Sequence, residues 1–375
     1  MEHAVSNKLI AFLKKNAMPC VALTLAVVSA FFVHPDKEYL GYFDFKTLAC
    51  LFGTLAVVCA LKDIRFFSIL ARRIICLTGN ARTAAVTIVY ITFIGSMLIA
   101  NDMALITFLP LGYLVFSVAG RKQDIATVFI LQNIAANLGG MLTPFGNPQN
   151  LYLYSFFNIP TGEFMSIMLL PFIISISLVT ACCFLVKKNQ LEVKDNGQDK
   201  LPPARTVIYL TLFALTIAMV FRLLPPWLVL AVLVVTLLIM DRHAFVMVDW
   251  GLLMTFVCFF IFAGNMSRLD VISRFFSKLL QKNTLLTSVL SCQFISNVPS
   301  SILLSRFTDN YPALLVGVNI GGTGTLIASL ASLITFREYT SRYPGETGAY
   351  ILRFSIFNFS FLAILTAVSL LTGIR

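Results

Sequence analysis

Apolar runs separated by short polar segments dominate this chain. Most of them have roughly the 20 residues that a helix needs to cross a lipid bilayer. The pattern therefore predicts an all-α polytopic membrane protein with about ten transmembrane helices. The runs predicted to cross the membrane once are 17–33, 42–61, 164–186, 207–221, 227–240, 250–263 and 350–371.

Two other apolar runs are polar at their middle and are not predicted to be simple crossings. Asn101 and Asp102 lie near the middle of 83–118, and basic residues flank that run on both sides. Two half-spans joined at a polar tip fit this pattern, which predicts a re-entrant hairpin that opens to the cytoplasm. The run 285–304 is interrupted by a Ser-Asn pair and predicts a second re-entrant hairpin, which opens outward.

Two further runs are interrupted by glycine and proline. The run 125–157 contains three glycines and two prolines between Asn137 and Asn150, which cannot continue a helix. The run 311–335 contains Asn-Ile-Gly-Gly-Thr-Gly-Thr from Asn319. Irregular backbone at membrane depth is tolerated only inside protein or beside water. Both runs are therefore predicted to be broken helices beside a cavity.

The two halves of the chain carry these features in the same order. Asn137 and Asn319 each begin the pattern N-[LI]-G-G-x-x-T, and a polar-tipped hairpin precedes each. Counting crossings from a cytoplasmic N-terminus puts the two hairpins on opposite sides, as in the inverted-topology repeats of secondary transporters. The basic stretch 268–282 then faces outward, against the positive-inside trend. The predicted division is a first repeat half at 1–186, a cytoplasmic linker at 187–205 and a second repeat half at 206–375.

Composition excludes several classes of protein. Of the 375 residues, 58% are hydrophobic and 12% charged, and the mean hydropathy is +0.87. A soluble fold could not bury that much apolar surface. The net charge of +11 is assigned to helix ends that face the cytoplasm and anionic lipid rather than to nucleic acid. We expect a multi-pass protein of the plasma membrane (a bacterial inner membrane) with a cytoplasmic N-terminus.

The sequence offers little machinery for enzyme chemistry. None of the eight cysteines forms a CxxC pair, and no histidine, cysteine and carboxylate cluster has metal-ligand spacing. Neither a GxSxG motif nor a phosphate-binding loop is present. We expect no enzyme activity and no cofactor apart from Na⁺ or H⁺ as coupling ion.

The four polar breaks form the candidate site. Each exposes helix N-termini, which favour anions, and helix C-terminal carbonyls, which suit a small cation such as Na⁺. A charge at membrane depth costs at least about 2.5–3.5 kcal/mol, so Asp102 is predicted to ligate Na⁺ or to carry a proton. Two plainer interpretations stay open. Asp102 could cap the returning helix arm, and Ser296 and Asn297 could lie in an ordinary kinked helix.

These motifs resemble the ion transporter superfamily and, within it, the citrate-transporter-like and arsenite permease/NhaD-type antiporter domain. The resemblance rests on the Asn-Asp tip at Asn101, the long motif at 137–151, Ser-Asn-Val-Pro from Ser296 and Asn-Ile-Gly-Gly from Asn319. It implies a scaffold domain, a mobile transport domain, an elevator mechanism and a homodimer. Related dicarboxylate symporters carry Ser-Asn-Thr at each tip, whereas the threonines are replaced here by an aspartate and a valine.

The resemblance also implies which residues bind substrate and coupling ion. The implied substrate and ion ligands are Asn101, Asp102, Asn137, Thr143, Gly146, Asn147, Ser296, Asn297, Asn319, Gly321, Thr325 and Ser329. Those implied for Na⁺ are Asn101, Asp102, Asn147, Ser296 and Asn297.

The predicted function is secondary active transport of a small anion, such as a citrate-like carboxylate or an inorganic oxyanion, coupled to Na⁺ or H⁺. A Na⁺/H⁺ antiporter that uses Asp102 and an arsenite or oxyanion efflux permease are the alternatives. A passive channel would need a continuous polar path, and an intramembrane protease would need paired aspartates or a Ser–His arrangement. The expected partners are the small anionic substrate, the lipid bilayer and a second copy of the chain, and no nucleic acid.

Overall fold

The computed structural model describes residues 17–118, 121–190 and 200–374. Residues 1–16 and residues 191–199 of the predicted linker 187–205 lie outside the described residues. Within the described ranges the chain forms α-helices, short 3₁₀ turns and no β-strand. The helices are α1 (Ala17–Phe32), α2 (Phe45–Asp63), α3 (Phe66–Ile75), α4 (Ala81–Ile99), α5 (Asn101–Val118), α6 (Lys122–Gly139), α7 (Pro148–Phe156), α8 (Thr161–Cys183), α9 (Pro203–Val220), α10 (Pro226–Met240), α11 (His243–Met247), α12 (Trp250–Ser267), α13 (Asp270–Lys282), α14 (Thr284–Ile295), α15 (Asn297–Leu304), α16 (Tyr311–Ile320), α17 (Leu330–Arg342) and α18 (Thr347–Leu371).

The length and apolar character of these helices confirm an all-α polytopic membrane fold. In the described part of the chain, seven helices are long and apolar enough to cross a bilayer. Shorter apolar helices, such as α10, α14 and α16, accompany them. Helix starts follow local sequence: Asn80 and Thr83 form a reciprocal capping box at α4, and Asp249 accepts a hydrogen bond from the Leu252 amide at α12.

The helices pack in two groups. The small group consists of α1, α2 and α9–α12, in which α1 lies along α12 and α2 contacts α9, α10 and α11. The large group consists of α4–α8 and α14–α18, in which α6 packs against α4, α5 and α8. The two groups meet mainly where α12 contacts α15 and where α2 contacts α7.

The arms of the two hairpins start from opposite ends of the helix bundle. The two ends of α8 mark the two ends of the bundle, because its 23 residues extend about 35 Å. Near its C-terminal end, Arg82 at the start of α4 donates to the Val186 carbonyl at 2.9 Å. At its N-terminal end, the Tyr311 hydroxyl, just beyond the second hairpin, donates to Glu163 at 2.5 Å.

The end of the bundle marked by Glu163 is tied together by arginines. Arg306, after α15, donates to the Tyr42 carbonyl at 2.7 Å. Arg268, after α12, donates to Asp36 at 2.7 Å, and this hydrogen bond lowers the pKa of the Asp36 carboxyl from its usual value. The connection between α1 and α2 is thereby held against α12 and the second hairpin.

Several boundaries differ from the sequence-based expectation. The first break is shorter than 137–150, because Gly139 still belongs to α6 and α7 starts at Pro148. A Cβ on Gly139 would collide with the Phe93 carbonyl, so α6 and α4 approach too closely for any other residue. Tertiary packing thus offsets the weak helix propensity of glycine.

The second break is displaced toward the C-terminus. Asn319 lies in the last turn of α16, and the irregular segment covers 321–329. Helix α17 continues to Arg342 rather than ending near 335, so Arg337 lies within the helix. The letters Arg-Phe-Phe-Ser occur twice in the chain, from Arg65, which caps α3, and from Arg274, in the middle of α13. The two amphipathic helices therefore share these letters at different positions along the helix.

Candidate functional site

Both hairpin tips adopt the same turn. The residue that precedes each tip asparagine has a left-handed φ, 63° at Ala100 and 73° at Ser296. Such a conformation strains any residue other than glycine by about 1–3 kcal/mol. Asn101 Oδ1 then accepts from the Asp102 amide at 3.0 Å, and Asn297 Oδ1 accepts from the Val298 amide at 2.9 Å. Each asparagine therefore stabilises the start of the returning arm, α5 or α15.

The two tips line one cavity of about 130 Å³. Asn101 and Asp102 contribute from the first hairpin, and Ser296, Asn297 and Val298 from the second. The other lining residues come from the starts of α1, α7 and α12 and from α17. They include Met18, Pro19, Gln149, Asp249, Gly251, Thr255 and Arg337. The cavity thus lies between the tips and the end of the bundle where α1 and α12 begin.

Asp102 is held in this cavity with an unused oxygen. Its Oδ1 is buried and has no hydrogen-bond partner among the described residues. The hydrogen bond that the helix start requires is supplied by Asn101, so the helix-capping role does not fall to the Asp102 side chain. Asp249 and Arg337 also line this cavity.

The two broken helices are joined by a buried amide cluster centred on Asn319. Its Oδ1 accepts from Asn147 Nδ2 at 3.3 Å and from Gln149 Nε2 at 3.5 Å, and its Nδ2 donates to Asn150 Oδ1 at 2.6 Å. All four side chains are at most 1% exposed. Asn150 in turn donates to the carbonyls of Gly140, at 3.1 Å, and of two further residues of the first break. One residue of the second broken helix therefore holds the first break in shape.

The first tip is linked to the same cluster by Asn137. Asn101 Nδ2 donates to Asn137 Oδ1 at 3.2 Å, and Asn147 Nδ2 donates to the Asn137 carbonyl at 3.2 Å. The second tip lies beside them, since a Cβ on Gly322 would stand 3.1 Å from Asn297 Nδ2 and 3.8 Å from Asn137 Oδ1. The tips and breaks named by the sequence are thus neighbours in space.

The remaining predicted residues of the first break hold its backbone and do not line the cavity. Thr143 Oγ1 donates to the Met97 carbonyl in the first hairpin at 2.8 Å. A Cβ on Gly146 would collide with the Gly140 carbonyl, so the backbone at these two positions of the break packs too closely for a side chain on residue 146.

The second break is held by a hairpin residue that the sequence analysis missed. Gln293 Nε2 donates to the carbonyls of Gly321 at 2.9 Å and Thr323 at 3.1 Å, while its Oε1 accepts from the Thr325 amide at 2.8 Å. Thr325 Oγ1 also donates to the Gln293 carbonyl at 3.1 Å. Ser329 caps α17 by accepting from the Ser332 amide at 3.2 Å.

Other contributors also escaped sequence reasoning. Gln149 and Asn150 stand inside the long motif, and their amide side chains were the available signal. Asp249 and Arg337 carried no such signal. Asp249 immediately precedes the apolar run 250–263 and Arg337 follows the run 311–335, positions where charged residues are ordinary. Only the packing of α12 and α17 against the hairpins brings them to the cavity.

The site is rich in unpaired oxygen acceptors. Asp102 Oδ1, Asn147 Oδ1 and Gln149 Oε1 are buried without hydrogen-bond partners, and such atoms are costly unless a donor or a cation meets them. Neutral amide and carboxylate oxygens suit hard cations rather than transition metals. No group of three or more histidine, cysteine or acidic residues that could hold a metal ion occurs in the described ranges.

Comparison with known proteins gives related membrane proteins over most of the chain. A family model described as "Citrate transporter" matches residues 9–316. An uncharacterized transporter of Methanocaldococcus jannaschii, MJ0456, is 31% identical over 301 residues, which cover 80% of this chain and 82% of that protein. The inner membrane protein YbiR of Escherichia coli is 27% identical over 322 residues, which cover 84% and 85%.

A solved structure has a similar fold. The YdaH transporter of Alcanivorax borkumensis, described as having an unusual topology, superposes with a TM-score of 0.51 over 95% of this chain and 97% of that one. The sequence identity is 13%, so the likeness concerns the fold alone.

Proposed function

Because the chain belongs to the citrate transporter family and is a multi-pass membrane transporter, we propose that it moves a small anion by secondary active transport coupled to Na⁺ or H⁺. The substrate class is a citrate-like carboxylate or an inorganic oxyanion. The observation that carries this proposal is the single cavity lined by both hairpin tips, Asn101–Asp102 and Ser296–Asn297.

Two features of the cavity support an anionic substrate. Helices α5 and α15 both begin at the tips, so their amide groups and dipoles favour negative charge there. Arg337 on the cavity wall adds a guanidinium, which suits carboxylate and oxyanion geometry. The substrate would therefore lie between the tips and α17.

The coupling ion is assigned to the oxygen-rich side of the same region. Asp102 Oδ1, Asn147 Oδ1 and Gln149 Oε1 are unpaired acceptors. Oxygens of this kind are ligands for Na⁺, and a proton on Asp102 would instead neutralise its carboxylate. A cation bound there offsets the charge of the incoming anion, so neither charge is buried alone.

The proposed mechanism is an elevator movement of the large helix group against the small one. The two hairpins start from opposite ends of the bundle, as an inverted-topology repeat requires. With the N-terminus in the cytoplasm of a bacterial inner membrane, the cavity opens inward, because Met18 and Asp249 stand at the starts of α1 and α12. A homodimer joined through the small group belongs to the same proposal.

Binding and uptake of citrate test this function directly. In proteoliposomes, inward gradients of Na⁺ or H⁺ should raise the uptake of labelled citrate or sulfate at least about tenfold over liposomes without protein. The same anion should raise the melting temperature of the purified protein by mass action, and more so when the coupling cation is present. If neither citrate, sulfate nor arsenite produces either effect at any pH or Na⁺ concentration tried, the proposed substrate class is wrong.

Cysteine labelling tests the proposed orientation. A single cysteine at Lys278 in α13 should react with a membrane-impermeant maleimide from the periplasmic side, and one at Lys188 after α8 only from the cytoplasmic side. Both side chains are exposed, Lys278 within α13 and Lys188 in the segment after α8, so access is limited by sidedness alone. Labelling of position 278 from the cytoplasm only would contradict the inverted topology.

A Na⁺/H⁺ antiporter is the second candidate, and the unpaired carboxylate oxygen of Asp102 favours it. It would exchange the two cations at Asp102 without an anion. Proton release driven by Na⁺ in proteoliposomes that contain no citrate, sulfate or arsenite would support it over symport. Efflux of arsenite or another oxyanion from loaded vesicles would instead support an oxyanion permease.

A further inference from the structure

An apolar groove of about 760 Å³ lies between α1 and α12 of the small helix group and α14, the first arm of the second hairpin. Helices α1 and α12 form one wall, and α13 and α14 form the other. Its lining is almost entirely apolar, with Phe259, Phe262, Phe276 and Leu290 among the contributors. Phe294 is 76% and Leu290 59% exposed, so the groove is open toward the surroundings of the bundle.

The groove extends through about one leaflet. It begins at Thr287, in the first turn of α14, and reaches Ser296 at the hairpin tip. That length of α-helix rises about 13 Å, which is close to half of the roughly 30 Å hydrocarbon thickness of a bilayer. A single acyl chain of the adjacent leaflet therefore matches the groove in length and in polarity.

Positive charge stands along the rim of the groove. Helix α13 directs Phe275, Phe276 and Leu279 into it, while Lys278 and Lys282, one turn apart on the same helix, are exposed. Amphipathic helices of this kind lie at the membrane interface and attract anionic headgroups. Contact with lipid headgroups would give this basic stretch a role that does not depend on the positive-inside trend.

We propose that this groove is a binding site for an anionic phospholipid. One acyl chain fills the groove between α12 and α14, and the phosphate lies over Lys278 and Lys282. No segment of the described chain covers the apolar lining, and a lipid is present wherever the protein is folded in a membrane.

The bound chain also reaches the transport cavity. Ser296 and Met18 line both the groove and the cavity, so the end of the acyl chain lies behind the second tip. An occupied groove keeps α14 apart from α12, and a movement of the large group that closes the groove must first expel the chain. Anionic lipid therefore stabilises the arrangement described here.

Native mass spectrometry of the full chain tests this proposal without any transport assay. Protein equilibrated with equal amounts of phosphatidylglycerol and phosphatidylcholine should retain phosphatidylglycerol in preference. One lysine near an anionic lipid contributes roughly a fivefold preference, so the double variant Lys278→Gln/Lys282→Gln should lose at least that factor. The double variant Lys37→Gln/Lys46→Gln is the matched control and should keep the preference, since it removes one lysine between α1 and α2 and one in the first turn of α2.

A second variant separates the acyl chain from the headgroup. Leu290→Trp fills the groove and should reduce the retention of both lipids, since the chain no longer fits. Equal retention of the two lipids by the unaltered protein, or unchanged retention in Leu290→Trp, would overturn the proposal. A loss of dimers in Leu290→Trp with no change in bound lipid would also overturn it, and would make the groove an interface between two copies of the chain.

Discussion

Replacing Asp102 with asparagine is expected to abolish cation-driven uptake. The substitution keeps the shape of the side chain and leaves the hydrogen bond between Asn101 Oδ1 and the residue 102 amide in place. It removes the charge of a carboxylate whose Oδ1 has no partner. Because this is the group assigned to the coupling ion, cation binding should weaken by at least about tenfold, which is 1.4 kcal/mol. Citrate uptake driven by Na⁺ or H⁺ should fall toward the level of empty liposomes.

The control is a second aspartate to asparagine exchange outside the cavity. Asp309 is exposed between α15 and α16, so Asp309→Asn should transport at the rate of the unaltered protein. Melting temperatures of both variants should stay close to that of the unaltered protein, which separates a loss of coupling from a loss of fold. Uptake that survives in Asp102→Asn with an unchanged cation dependence would remove Asp102 from the coupling site.

Replacing Asn319 with leucine is expected to give the largest loss of stability. The amide of Asn319 is the shared partner of Asn147, Gln149 and Asn150, and all of these are buried. Leucine has a similar volume but leaves Asn150 Oδ1 without its donor and Gln149 Nε2 without its acceptor, and it takes from Asn147 Nδ2 one of its two acceptors. Each buried polar group left unpaired costs about 1–3 kcal/mol, so a total loss of about 3 kcal/mol or more is expected.

Thermal unfolding in detergent measures this effect. With an unfolding entropy of about 2.1 cal/mol/K per residue, 1 kcal/mol corresponds to about 1.3 °C for 375 residues, so Asn319→Leu should melt about 4 °C lower. Gln123→Leu makes the same kind of exchange at an exposed position of α6 and should change the melting temperature by less than about 1 °C. If the two variants melt together, the amide cluster does not hold the breaks in shape.

Stability and transport should fail together in Asn319→Leu, since this residue joins the two broken helices that flank the tips. The contrast with Asp102→Asn is informative. Asp102→Asn removes a charge from an intact cavity, whereas Asn319→Leu removes the hydrogen bonds that position the residues around the cavity. Transport lost at full stability therefore identifies a ligand, and transport lost with stability identifies a positioning residue.

The polar tips could be found from the sequence because lipid permits so few exceptions. A Ser-Asn or Asn-Asp pair inside an apolar run must be buried in protein or meet water, and both tips do line a cavity. Glycine patterns located the breaks for the same reason, but their limits were wrong by several residues. At Gly139 close packing against α4 keeps the helix intact. The local sequence pattern does not predict such a contact with a helix more than 40 residues away.

The side chains that support the breaks and complete the cavity were harder to predict from the sequence. Gln293 lies within the apolar run 285–304, where nothing in the pattern distinguishes it, yet it binds the backbone of the second break at three points. Arg337 follows the run 311–335, yet it lines the cavity. Both depend on which helix faces which, and that is set by side-chain packing between segments far apart in the chain.

The sequence by itself determined that the chain spans a membrane with interrupted helices, because burial in lipid imposes length, apolarity and backbone satisfaction on each segment separately. Only the tertiary structure decided that Asn319 binds across to Asn147 and Asn150, that Asp249 and Arg337 share a wall with Asp102, and that a groove opens beside α14. These are relations between segments, and their energies arise from contacts that no local pattern encodes.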